Sequence, residues 1–351
     1  MPLTLSSRIA RFVAFSLLGV AATLAALELL LRFLPVSTAT LTGYYIDPVI
    51  LTYPAYHNFT VATGWSLQNS GSLQANNFGF VADHDFAPGV DAVALIGDSF
   101  VESSMLAPRA RLAAQLETRL GKRPVFAMGG PGSSLLDYAE RIRFASQRFG
   151  VRDFVLLLEH GDIGQSICGS GNVHGPCLDS ETLEARIETQ PAAGAAKRIL
   201  RQFAVPQYLF SQLKLNPAAW QATLRGKLGM AGSTPARRDS MRVAPDAIQS
   251  VLDQFFARVK PYPTNHLILV LTGTKRASEG TPDFVRDQLI DSSARNGAIL
   301  LEPTPEIEQY GEDSGLSMDV SPMDKHMNGI ALAMVADRIV PLLNRPEAPA
   351  Q

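Results

Sequence analysis

The N-terminal pattern of apolar and polar positions differs from everything that follows it. Phe12 to Leu31 is a run of twenty residues, apolar except for Ser16, Thr23 and Glu28. About 20 apolar residues suffice to cross the hydrocarbon core of a bilayer, so the run predicts one transmembrane helix within residues 1–35. Arg8 and Arg11 precede it, and positive charge on the leading side predicts a cytoplasmic N-terminus. The reading is a single pass through an inner membrane, with everything after residue 35 outside, in the periplasm if the cell is a diderm bacterium. A cleaved signal peptide, given the small residues Ala22, Thr23, Ala25 and Ala26, and a buried core helix are the alternatives; the length of the run and its terminal position favour an uncleaved anchor. Glu28 and Arg32 stand four apart and can pair on one helix face near the outer interface.

From residue 91 the pattern changes to short apolar runs alternating with amphipathic stretches. Strands are predicted at Ala92–Ile96, Val125–Met128, Phe154–Leu158, Leu267–Leu271 and Ala298–Leu301, and helices at about 108–120, 134–148, 246–259, 282–295 and 328–344. Strands that alternate with helices predict a parallel sheet covered on both faces. The expected fold is therefore α/β: a three-layer, flavodoxin-like sandwich with a five-stranded parallel sheet, preceded by the transmembrane helix. Residues 36–75 keep neither period and are read as a linker or strap, followed by a domain over 76–345 and a tail at 346–351. The stretch 178–245 interrupts the rhythm. Ala192–Gln202 and Tyr208–Leu228 read as helices, Pro217 interrupts the second, and Ala231 to Arg242 is polar, which together predict a helical insertion.

Composition narrows the partners. The chain has 351 residues and a formal net charge of -2, with no basic patch, so nucleic acid is not an expected partner. Cys168 and Cys177 are the only cysteines and bracket a segment rich in turn formers. In an oxidising compartment they would form a disulfide. A metal site with His160 and His174 is the competing reading, but the spacing matches no common zinc pattern. Tyr44, Tyr45, Tyr53, Tyr56 and Trp65 either pack the strap or offer aromatic faces to sugars, and packing is the preferred reading.

The chemistry lies at the ends of the predicted strands. Ala92–Ile96 runs directly into Gly97-Asp98-Ser99-Phe100, which presents a serine at the carboxyl edge of the sheet, where ligands bind. Near the other end of the chain, Asp324-Lys325-His326-Met327-Asn328-Gly329 precedes an apolar helical stretch. Ser99 then reads as the nucleophile, His326 as the base and Asp324 as the residue that holds the imidazole, with Asp319 as the alternative acid. Asp98 reads as a turn partner. No role is expected for His57, His84 or His266.

Gly97-Asp98-Ser99-Phe100 resembles the first block of the SGNH (GDSL-like) hydrolase family, and Asp324 with His326 resembles its last block. Gly129-Gly130-Pro131-Gly132-Ser133 is similar to the second block, and Asn76-Asn77-Phe78-Gly79-Phe80 to a strap found before the first block in membrane-anchored members. The family spaces its acid and histidine as Asp-x-x-His, whereas this chain has Asp-x-His, a form that also occurs among envelope-polysaccharide members. The resemblance implies a covalent acyl-enzyme on Ser99 and oxyanion positions at Ser99, Gly132 and Gly161. In the third block the family carries an asparagine where this chain has Gly161, so one side-chain donor is missing; His160 and Asn172 are the candidate substrate-loop residues nearby. The expectation is a membrane-anchored periplasmic esterase or O-acyltransferase acting on an acylated envelope or secreted polysaccharide, without metal or organic cofactor, in some cases within a polysaccharide synthesis or export complex. The alternatives are a non-catalytic glycan-binding or assembly subunit with a degenerate site, and a lipase or thioesterase.

Overall fold

The structure is a computed structural model that describes residues 5–38, 41–170, 175–213, 215, 244–273, 283–322 and 324–345. The chain separates into two compact units: Met1–Thr40 with Phe59–Ser72 and Ala193–Thr234, and Leu41–Asn58 with Leu73–Ala192 and Pro235–Gln351.

The second unit is built on five parallel strands: β1 (Val93–Gly97), β2 (Val125–Gly129), β3 (Asp153–Glu159), β4 (His266–Thr272) and β5 (Ile299–Leu301). Their spatial order is β5-β4-β3-β1-β2. The five predicted strands are all present within a residue or so of their expected ends. They read as nearly continuous apolar runs because both faces are covered. Alternate side chains serve opposite layers. Ala94, Ile96, Phe126, Met128, Phe154, Leu156, Leu269 and Leu271 pack beneath α4 (Leu135–Phe149) and α6 (Pro245–Val259), with α7 (Phe284–Arg295) against α6. Val93, Leu95, Val125, Val155, Leu157, Ile268 and Val270 pack beneath α3 (Leu112–Arg119) and α9 (Gly329–Leu343).

The strand order places the site. From β1 the chain moves outward to β2, then crosses back past β1 to β3. The connections after β1 and β3 therefore run to opposite faces and leave a crevice at their carboxyl ends. Ser99 follows β1 and His160 follows β3, so both line that edge.

Several elements differ from expectation. The helix predicted over 108–120 is a tight turn at Pro108–Ala110 followed by α3, because Arg111 between them is extended (φ -72°, ψ 150°). The strap predicted without regular structure contains two antiparallel ladders, Gly43–Asp47 with Ile50–Thr52 and Asn58–Thr63 with Gln68–Gln74. These strands are short, and Gln68–Gln74 is almost entirely polar, so no alternation marked them. Two further elements carried no readable signal: α8 (Thr304–Ser314), which buries only Ile307, and an antiparallel pair, Asp319–Ser321 with Asp324–Met327. In the insertion, the helix expected over Ala192–Gln202 spans Ala195–Leu200. The helix expected over Tyr208–Leu228 is seen as a wide turn over Gln207–Gln212, in which the Leu213 N–H reaches the Tyr208 carbonyl; residues 214 and 216–243 lie outside the described residues.

The first unit contains α1 (Leu5–Arg32), an apolar helix of which Ile9–Arg32 is exposed along its length and has a mean hydropathy of 2.1. It is long enough and apolar enough to span a membrane or to act as a signal sequence.

Candidate active site

Ser99 opens α2 (Ser99–Glu102), a single turn set directly on the end of β1. Asp98 caps that turn by accepting a 2.8 Å hydrogen bond from the Phe100 N–H. The turn closes at Ser103, which adopts a left-handed conformation (φ 43°). Two glycines let α2 lie flat on the sheet. A Cβ on Gly97 would stand 2.6 Å from Val101 Cγ2 and 2.9 Å from the Leu157 carbonyl oxygen, and one on Gly129 would stand 2.4 Å from the Glu102 nitrogen. Gly97 is thus required for close approach, its φ being ordinary.

The three residues expected to act together meet. Ser99 Oγ lies 2.8 Å from His326 Nε2, and His326 Nδ1 lies 2.5 Å from Asp324 Oδ1. The same carboxylate oxygen accepts from the His326 backbone N–H at 3.1 Å, so Asp324 holds both the ring and its chain. The Asp-x-His spacing fits because both residues lie on the strand Asp324–Met327, where side chains two apart share a face. The Phe100 ring packs against the imidazole, with centroids 4.5 Å apart. Asp319, the alternative acid, accepts instead from Lys325 Nζ at 2.6 Å. Just beyond, Asn328 caps α9 by accepting from the N–H groups of Ile330 and Ala331.

The turn after β2 carries Gly132 at φ +73°, a left-handed position that favours glycine. Arg141, buried beneath it, donates to the Gly97 carbonyl at 3.0 Å and occupies the space a side chain on Gly130 would need. The turn after β3 becomes α5 (His160–Gly164). Asp162 accepts from the Glu159 N–H at 2.9 Å and from the Tyr138 hydroxyl at 3.0 Å. Burial pushes its carboxyl well above the usual range, and nearby Asp98 pushes in the same direction. Burial also raises Asp98, against the pull of the Phe100 N–H and His326, and it raises Glu159.

Gly161 has no side chain to offer. A Cβ built there would meet the Gln165 side chain, whose Nε2 lies 3.0 Å away. Gln165 stands four residues on, and helical side chains lean toward the N-terminus, so its amide covers the place that residue 161 leaves open. Sequence reading missed this residue; the signal available was its i+4 spacing from Gly161. His160 Nε2 pairs with Asp283 Oδ2 at 2.8 Å, while its Nδ1 is buried with no hydrogen-bond partner among the described residues. Asn172, the other candidate substrate-loop residue, and His174 lie outside the described residues.

Cys168 and Cys177 are joined, with an S–S distance of 2.06 Å. Among the other histidines, His84 pairs with Glu117 and His266 with Asp153, both at 2.6 Å. Tyr53 is buried and its hydroxyl donates to Glu102 Oε2 at 3.0 Å, so it packs the strap onto the domain. Asn76 accepts from the N–H groups of Phe78 and Phe80, both at 3.0 Å. Gly79 follows at φ +78°, where a Cβ would stand 2.0 Å from the Tyr53 carbonyl oxygen, which explains the Asn-x-x-Gly-Phe strap.

A parallel sheet of this order, with a serine after its first strand and a histidine and aspartate on the short strand before the last helix, is an α/β hydrolase-like fold with a Ser-His-Asp set at its carboxyl edge. No protein-family model matches the chain, and no curated protein matches it. Solved structures do resemble it. One is LAE5, an α/β hydrolase enzyme from the metagenome of Lake Arreo, Spain, at 14% identity, covering 73% of this chain and 95% of that one with a TM-score of 0.41. A member of the lipolytic G-D-S-L family from Veillonella parvula has 11% identity, covers 73% of this chain and 100% of its own, and has a TM-score of 0.40. An R55A mutant of Axe2, an acetyl-xylooligosaccharide esterase from Geobacillus, has 11% identity, covers 76% and 99%, and has a TM-score of 0.40.

Proposed function

We propose that this chain is a serine ester hydrolase or O-acyltransferase of the SGNH type, held to a membrane by α1. Its site would act on acyl groups, acetyl above all, carried by an envelope or secreted polysaccharide outside the cytoplasm. The contact between Ser99 Oγ and His326 Nε2 at 2.8 Å carries this reading, since a serine hydroxyl becomes a competent nucleophile only when a base is placed to take its proton.

In this reading Asp324 accepts the imidazole Nδ1–H and leaves Nε2 as the base. Ser99 Oγ attacks the ester carbonyl as its proton passes to His326 Nε2. The imidazolium then returns that proton to the departing sugar oxygen, leaving an acyl group on Ser99. Water or a second sugar hydroxyl, deprotonated by the same nitrogen, releases it. The oxyanion would be met by the backbone N–H groups of Ser99 and Gly132, with the Gln165 amide as a third donor in place of the side chain that Gly161 lacks. No step requires a metal or an organic cofactor.

One observation favours a second reading. With no side chain at residue 161, the site resembles one that holds an acylated glycan without cleaving it, as an assembly subunit would. Labelling the full-length protein in detergent with a fluorophosphonate, followed by intact mass, separates the two. One adduct on the wild type and none on Ser99→Ala is expected. A folded wild type that takes no adduct overturns the hydrolase reading in favour of the binding one.

A further inference from the structure

The first unit contains a surface that the esterase chemistry does not use. Glu28 lies in the last turns of α1, four residues before its end, or about 6 Å short of it at the helical rise of ~1.5 Å per residue. Its carboxylate accepts from Arg32 Nε at 2.8 Å, from the Ala204 N–H at 3.0 Å and from the Val205 N–H at 2.9 Å. An acid among apolar residues is tolerated where such donors satisfy it. These bonds fix the chain at 204–205 to the depth of the last turns of α1. A hairpin turn is tied to the same place. Gln212 Nε2 donates to the Gly64 carbonyl at 2.8 Å, the Ser37 N–H donates to Gln212 Oε1 at 2.9 Å, and the Tyr208 hydroxyl donates to the Trp65 carbonyl at 3.0 Å.

Around these ties the unit leaves its large apolar side chains exposed. Trp65 is 78% exposed and Phe33 80%, and Ile199, Phe203, Phe210 and Leu215 are exposed as well. The stretch 191–215 carries Lys197, Arg198, Arg201 and Lys214 and no acidic residue. An apolar face mixed with basic residues, with a tryptophan at its edge, matches the chemistry of the bilayer interface, where aromatic rings sit at headgroup level and cations meet anionic lipid.

We propose that residues 195–213 with Leu215 and the Trp65 turn form a collar embedded in the lipid headgroup layer beside the outer end of α1. The proposal rests on α1 being a membrane anchor. The occupant of this apolar face is the bilayer that α1 enters, because Glu28 joins the face to the end of that helix. The collar would fix the height of the first unit on the membrane instead of leaving it on a free tether.

Trp65 and Trp220 are the only tryptophans, so Trp220→Phe leaves Trp65 as the sole reporter. The full-length variant is reconstituted into phosphatidylcholine–phosphatidylglycerol vesicles with bromines placed either near the headgroup end of the acyl chains or near their middle. The shallow bromines are expected to quench Trp65 by about half or more, and the deep ones to quench it less. Adding Ile199→Glu and Phe210→Glu is expected to abolish most of that quenching. Retention through an alkaline carbonate wash reads the anchor separately. Retention with unquenched Trp65 overturns the collar and leaves the anchor standing. Release by the wash overturns both. Quenching that survives the double glutamate variant overturns the assignment of residues 195–213 as the embedded face.

Discussion

In the proposed mechanism, Gln165 is the residue on which the rate of this site turns. Ser99, His326 and Asp324 were legible from the chain because Ser99 sits in a short motif that closes an apolar run, and Asp324 with His326 in one that opens an apolar helical stretch. Gln165 was not, because its relevance depends on an empty position four residues earlier that only the turn of α5 brings beneath it. If its amide meets the oxyanion, Gln165→Ala lowers kcat for a simple acetyl ester by about 10²-fold, the usual effect of losing one such donor, with little change in KM. Gly161→Asn alone would crowd the Gln165 amide, which is the movable end of a side chain. In the Gln165→Ala background the same substitution has room, and it is expected to recover a large part of the lost kcat. Steady-state rates on the two single variants and the double variant check this. A Gln165→Ala enzyme as fast as the wild type sinks the assignment.

At the scale of elements, the five strands and most of the helices flanking them were readable, because strands buried on both faces must be apolar throughout and amphipathic helices must show their stripe. What was not readable lies where burial is slight. Thr304–Ser314 buries one side chain, and the strand Gln68–Gln74 exposes most of its polar residues. The strand that carries Asp324 and His326 also escaped notice, since an aspartate, a lysine and a histidine in four positions leave no apolar alternation. The seating of α2 shows the opposite case, in which a glycine pair visible in the chain has a purely geometric reason. In Gly129→Ala the added Cβ would fall 2.4 Å from the Glu102 nitrogen and 2.9 Å from its Cα, both backbone atoms, so α2 itself has to move. A displacement near 1 Å at a reacting group can cost about 10²-fold in rate, and that is the expected loss in fluorophosphonate labelling rate. Gly71→Ala, where a Cβ meets nothing within 4 Å, is the control and should label at the wild-type rate. Equal labelling of the two variants would show that α2 need not sit flat on the sheet.

At the scale of the whole molecule, the buried acids beneath the site give stability a dependence on pH that runs opposite to ordinary acid denaturation. Glu102 is fully buried, and burial raises its carboxyl from 4.5 to about 7, even though Tyr53, Ser104 and Arg111 favour its charged form. Asp137, capping α4, is raised from 3.8 to about 6, again chiefly by burial. For each group the folded state holds its proton more tightly than the unfolded chain does. Stability is therefore highest below the unfolded value and falls as pH rises toward the folded one: from about 4.5 to 7 for Glu102 and from about 4 to 6 for Asp137. At ~1.4 kcal/mol per unit, ionising Glu102 in place would remove about 3 kcal/mol by neutral pH. His84, raised mainly by its hydrogen bond to Glu117, loses its own contribution as pH rises through its folded value, so the wild-type curve alone does not isolate Glu102. The difference between wild type and Glu102→Gln does, because every other group cancels. Glutamine keeps an acceptor for the Tyr53 hydroxyl and carries no charge to bury. Thermal melts are expected to show the two proteins closest near pH 4.5, with Glu102→Gln gaining several degrees on the wild type by pH 8, at roughly 2–4 °C per kcal/mol for a domain of this size class. A gap between the two melting curves that stays constant from pH 4.5 to 8 would mean that Glu102 is ionised throughout, with its charge balanced by Arg111 inside the fold.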